Sequence, residues 1–136
     1  MTAERDLTRL LAGMRPDLDP GRYVFTTVDG PAPAGVAPVV TVTEAEGLTL
    51  VVRQDEADAA GLAYDYVAGR ITLRIHSALD AVGLTAAVAG ELARAGMSCN
   101  VVAGFHHDHL FVERDRAEEA LTVLRRLAER SGSFPH

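Results

Sequence analysis

RITLRIHSALDAVGLTAAVAGELARAGMSCNVVAGFHHDHLFV, Arg70 to Val112, is the stretch on which the fold turns. It opens with strict alternation. Ile71, Leu73 and Ile75 point one way, and Thr72, Arg74 and His76 the other, which predicts a half-buried strand over 70–76. Ser77 to Leu84 then reads as a short loop. From Gly83 to Ala95, Leu84, Ala87, Val88, Leu92 and Ala95 line one helical face, and Gly96 is placed to end that helix. Ser98 to Ala103 and Asp108 to Glu113 read as two further strands. Between them lies a short turn and the cluster His106-His107-Asp108-His109.

Downstream, Asp115 with Glu118 three residues on forms a capping-box pattern. The helix it opens carries Ala117, Ala120, Leu121, Leu124 and Leu127 on one face, and 131–136 reads as a polar tail. Upstream, Leu7, Leu10, Leu11 and Met14 share a helical face that Arg15-Pro16 ends. Tyr23 to Val28 is β-branched and aromatic, hence a strand. Three prolines and two glycines between Asp29 and Pro38 make a loop. Val39 to Thr43 and Leu48 to Arg53 form a hairpin, with Gly47 supplying a positive φ. Asp55 to Ala60 reads as a short helix closed by Gly61.

From residue 70 the order is strand, helix, strand, strand, helix. One more strand would complete a split βαβ unit with two helices on one face of an antiparallel sheet. The tail is too short to supply it. The first half has strands to spare, and Tyr23 to Val28 is the best candidate. The expected class is therefore α+β, with two halves, 1–68 and 69–136, sharing one sheet or packing two.

Composition removes several functions. Net charge is −6 with the acid spread along the chain, which argues against a nucleic-acid surface. All 13 basic residues are arginine, so Schiff-base lysine chemistry and a Walker phosphate loop are excluded. The single cysteine, Cys99, excludes an internal disulfide and a cysteine zinc cluster. Met1 to Leu11, MTAERDLTRLL, is charged and amphipathic. Neither signal peptide nor membrane span is expected, and a cytoplasmic location is the default.

Two constellations carry chemistry. Residues two apart share a strand face, so His107 and His109 could converge on an ion, with His76 or Asp80 as a third ligand. Neither helical His-Glu-x-x-His spacing nor paired cysteines support this, and imidazoles beside a carboxylate are common in polar turns. The metal site, or a metal-dependent hydrolase built on it, is therefore the alternative. No nucleophile elbow exists, and Cys99 alternates with Val101 and Ala103 as a small core residue. The second constellation is Ser77-Ala-Leu-Asp-Ala-Val-Gly-Leu84. A helix start presents free amides and a positive dipole end, which suits an anion such as a carboxylate. Read alone, it is better taken as an ordinary helix start capped by Asp80.

Taken together, Asp80-Ala-Val-Gly-Leu84, Leu92, Gly96-Met-Ser-Cys-Asn100 and the hairpin into Leu110-Phe-Val112 resemble an ACT domain. Val82 stands where that pattern often has proline. The longer run from His76 to Val112, with SCNVVAGFHHDH, and the upstream VVTVTEAEGLTLVV resemble a group of stand-alone bacterial ACT proteins. These are similar to the regulatory domains of aspartate kinase and to the animal cytosolic arginine sensor.

The resemblance implies a ferredoxin-like βαββαβ fold in two ACT-like units. It implies a non-enzymatic regulatory protein, without cofactor, that binds an amino acid where ACT units meet. The implied pocket floor is Asp80, Ala81, Val82, Gly83 and Leu84, with Asn100 on the facing strand. It implies a homodimer. Fold analogy does not by itself establish function, so a ligand-free assembly module is the third reading.

Overall fold

The computed structural model describes residues 6–75 and 77–133. The first helix, α1 (Leu7–Gly13), starts where the Asp6 carboxylate accepts from the Arg9 amide at 3.0 Å. Seven strands follow among the described residues: β1 (Pro16–Leu18), β2 (Tyr23–Val28), β3 (Val40–Glu44), β4 (Gly47–Arg53), β5 (Val67–Leu73), β6 (Asn100–Ala103) and β7 (Asp108–Glu113). The remaining helices are α2 (Gln54–Ala59), α3 (Leu84–Arg94) and α4 (Ala117–Ser133).

The strands form one antiparallel sheet in the order β3-β4-β2-β5-β7-β6, with β1 also on β5. Its β5-β7-β6 part is the expected strand-helix-strand-strand unit. The position left for that unit's last strand is filled from the first half of the chain, as expected, but by two pieces. The start of β2 takes the near end through Tyr23↔Ala68 and Val24↔Val67. The rest is taken by β1, with Pro16↔Leu73 and Leu18↔Ile71, a strand that local sequence pattern places outside regular structure.

Among the described residues helices cover one face. Ile71, Leu73, Leu110 and Val112 pack under α1, α3 and α4 with Leu10, Met14, Leu84, Val88, Leu92 and Leu124. Further along the same face, Val24, Leu50 and Val52 pack with Ala57 of α2. The other face carries no helix among the described residues. Its centre is Phe111 and Ala68, both fully buried, with Tyr23 and Val51. Phe25 and Phe111 meet edge to face, ring centroids 5.5 Å apart, and the Arg70 guanidinium lies over the Tyr23 ring.

Two glycines set close approaches and a third ends a helix. Gly83 (φ 99°) precedes α3, where a Cβ would meet Leu7 Cδ2 at 3.1 Å. Gly96 (φ 77°) ends α3 in a Schellman motif: its amide donates to Ala93 and that of Met97 to Leu92. Gly69 lets α4 start against β5, where a Cβ would lie 2.8 Å from that of Ala117.

Several boundaries differ from the sequence reading. β5 begins at Val67 and ends at Leu73, so Ile75 lies beyond the strand; His76 lies outside the described residues. β6 begins at Asn100 rather than Ser98. The Asp115–Glu118 capping box is replaced by a 3₁₀ turn, Arg114–Arg116, in which the Glu118 carboxylate pairs with Arg114 at 3.4 Å. Residues 131–133, read as tail, continue α4; 134–136 lie outside the described residues.

Candidate functional site

The loop between β5 and α3 and the turn between β6 and β7 lie at one end of the sheet, because Leu73 pairs with Asp108 and Asp108 with Ala103. Together they enclose a recess of about 60 Å³. It is lined by Ala81 and Leu84, by Ser77, Leu79 and Thr85, and by Ala103 and Asp108 across from them. At its floor α3 begins. Gly83 is the N-cap and no side chain caps it; the first intrahelical bond is from Ala87 to Gly83. The Asp80 cap is thus not the arrangement found. The amides of the first turn have no partner along the helix, and the dipole end is positive.

Around the recess stand three exposed apolar side chains: Val82 (83% exposed), Leu79 (68%) and Phe105 (74%). Isolated exposed hydrophobes are ordinary, but three at one sheet end are a local feature. They adjoin β6, whose outer edge is open.

Of the predicted site residues, the recess brings together Ala81 and Leu84, with Val82 and Gly83 on the same loop. Asp80 is an exposed member of that loop. Asn100 stands elsewhere in the same chain. It pairs with Phe111 at the far end of β6, and it shares the helix-free face with Val102 and Phe111. Asp108 takes the place facing the loop. The signal for it was in the alternation: Asp108 falls in step with core-facing Leu110 and Val112. Burial pushes its carboxyl above the usual range, and His107 opposes that shift.

The histidine cluster spans the β6–β7 turn and the first residues of β7. The Gly104 amide donates to the His107 carbonyl at 2.9 Å, closing the turn. His107 Nδ1 lies 3.5 Å from the Ile75 carbonyl oxygen. His109 Nδ1 lies 3.0 Å from Thr72 Oγ1 and 3.3 Å from an Arg70 guanidinium nitrogen. Arginine only donates, so the Nδ1 lone pair faces it and the neutral ring carries its proton on Nε2. Burial first, then Arg70, His107 and Arg74, lower the pKa of His109. A metal at either nitrogen would have to displace Arg70 or reverse the tautomer. Among the described residues no group of three metal-ligating side chains is assembled; His76, the proposed third ligand, lies outside them. Burial pushes the Cys99 thiol up to about 11, which makes it a poor nucleophile at neutral pH.

Two ACT-domain family models match this chain, one over residues 2–69 and the other over 67–126. The chain belongs to the ACT-domain family. A crystal structure of a Vibrio cholerae protein of unknown function, described as a possible transport protein, is 46% identical. The match covers 90% of this chain and 95% of that one, with a TM-score of 0.81. An Agrobacterium tumefaciens protein is 21% identical over 85% of this chain and 89% of its own, TM-score 0.71. The ligand-free regulatory subunit of aspartate kinase from Thermus thermophilus shares the fold at 12% identity, TM-score 0.62, over 82% of this chain and 95% of its own. A comparison with curated proteins finds no match. ACT domains in tandem are regulatory, non-catalytic modules of ferredoxin-like fold. Among the described residues no helix is long and apolar enough to cross a membrane.

Proposed function

We propose that this tandem ACT protein is a non-enzymatic, cytoplasmic regulator that binds an amino acid where ACT units of two copies meet. Its two units divide near residue 68, with α1 and β1 docked on the second. The observation that carries the reading is the recess at the start of α3. There uncapped amides and a positive helix end face Asp108 across a gap. The amides suit an α-carboxylate and the carboxylate suits an ammonium.

The recess of one copy is small for an amino acid. The exposed Leu79, Val82 and Phe105 and the open β6 edge supply a reason for a second copy to complete it. Antiparallel pairing of β6 with its counterpart would carry Asn100 of one copy toward the Ala103 end of the other. The Asp80–Leu84 loop of one copy and the Asn100 end of the other's β6 would then lie beside each other, with Asn100 at the rim on the helix-free face.

The test is a thermal-shift screen of the protein against the twenty amino acids and divalent metals, followed by calorimetry. A ligand at 100 times its Kd adds about 2.7 kcal/mol by mass action. Gly83→Val should abolish binding, and Asn100→Ala should cost roughly 1 kcal/mol of it. Zinc at stoichiometry in untreated protein, lost on replacing His107 and His109 with glutamine, would install the metal reading instead. No binding at millimolar concentration would leave the assembly module.

A further inference from the structure

At the opposite end of β5 from the recess lies a cleft of about 270 Å³, lined by Arg22, Asp65, Tyr66, Val67, Glu113, Arg114 and Asp115. It sits on the seam of the two units, beside the pairs Tyr23↔Ala68 and Val24↔Val67 that join β2 to β5. Two guanidiniums and three carboxylates therefore face one space, yet they do not pair with one another. The ion pair of Arg114 goes to Glu118 on α4, at 3.4 Å. Arg22 donates through Nε to the Gln54 side chain at 3.0 Å. Among the described residues, Asp65, Glu113 and Asp115 form no ion pair.

Arg114 is mostly buried, its side chain 18% exposed, and its Nε has no partner. The Tyr66 hydroxyl is also buried without a partner; Ser98 acts on it from outside hydrogen-bond geometry. Buried donors left open are costly, and such groups need an explanation. Tyr66 and Val67 add an aromatic and an apolar wall.

We propose that this seam cleft is a second binding site, for a small zwitterion that carries an excess of positive charge. Its carboxylate bridges Arg22 and Arg114, and its amines meet Asp65, Glu113 and Asp115. Three carboxylates line the cleft against two guanidiniums, one of which is already paired with Glu118, so the excess charge is negative, which favours a second amine on the ligand and disfavours a second carboxylate. The volume is near the lower end for small-molecule sites, which suits a ligand of amino-acid size. This site does not depend on the loop at residues 80–84.

The experiment is amide chemical-shift mapping of the full chain with L-lysine and L-glutamate as probes. L-Lysine should move the amides of 65–67 and 113–115 and bind at least about tenfold tighter than L-glutamate. Arg114→Gln should weaken L-lysine by about tenfold. If that variant fails to fold, Asp65→Asn, at an exposed and unpaired position, should weaken it several-fold while keeping its melt. Shifts confined to 77–85 and 103–108 would overturn the cleft site and leave the amino-acid reading of the recess standing. Equal affinity for the two probes, or no shifts at about 10 mM, would also overturn it.

Discussion

Leu18 pairs with Ile71 across the junction of β1 and β5, fifty-three positions apart in sequence. That pairing, with Leu10 and Met14 in the same apolar cluster, makes the second ACT unit depend on residues of the first. A fragment of residues 69–136 loses β1, β2 and α1 at once. It should show no cooperative thermal melt, since an open sheet edge and an unfilled core remain. A cooperative, monomeric melt of the fragment would contradict this dependence.

Gly83 holds φ at 99° with Leu7 Cδ2 close by. Gly83→Ala should therefore destabilise by about 1 kcal/mol or more, from backbone strain plus the Leu7 contact. Denaturant melts of Gly83→Ala and of Gly83→Ala with Leu7→Ala separate the two causes. The double variant should recover only the part due to contact.

His109 is lowered from its ordinary 6.5 by burial and by Arg70. Between its folded value and 6.5 the unfolded chain binds more protons, so stability rises with pH across that window. The contribution is complete above 6.5 and is lost as pH falls through the folded value. His109→Gln should flatten the acid limb of Tm against pH where it falls below 6.5. An unchanged limb would contradict the burial of a neutral ring.

Asp108 carries the opposite sign. Burial raises its carboxyl, so the folded chain binds more protons above the unfolded value, and stability falls as pH rises through that window. Asp108→Asn should raise Tm at pH 7, and the gain should shrink on acidification. A loss of stability at pH 7 would mean that the charge is compensated. Stability given up for a charged group that lines a recess is a common exchange where the group has a function.

Much of the fold was legible because its signals are local. The alternation at Ile71 and Leu73, the helical face of Leu84, Val88 and Leu92, and the stop at Gly96 each act within a few residues. β1 was not legible. Pro16 and Asp17 have low strand propensity, and only the partner strand holds them extended. The Asp115–Glu118 pattern misled because Arg114 competes for Glu118. At the recess, the loop from Asp80 to Leu84 was readable from the helix start. Which end of β6 meets it was not, because that is set by the register Ala103↔Asp108↔Leu73, a relation among three strands.

The sheet face without helices gives the protein a built-in optical reporter. The chain has three tyrosines and no tryptophan. Tyr23 and Tyr66 both belong to the aromatic cluster around Phe111, while the third, Tyr64, hydrogen-bonds Asp58 beside α2. Tyrosine emission and near-ultraviolet dichroism therefore report on this face and on the seam cleft beside Tyr66. A ligand settling in the recess at residues 77–85 should pass nearly dark, so unlabelled protein can tell the two occupancies apart in a cuvette.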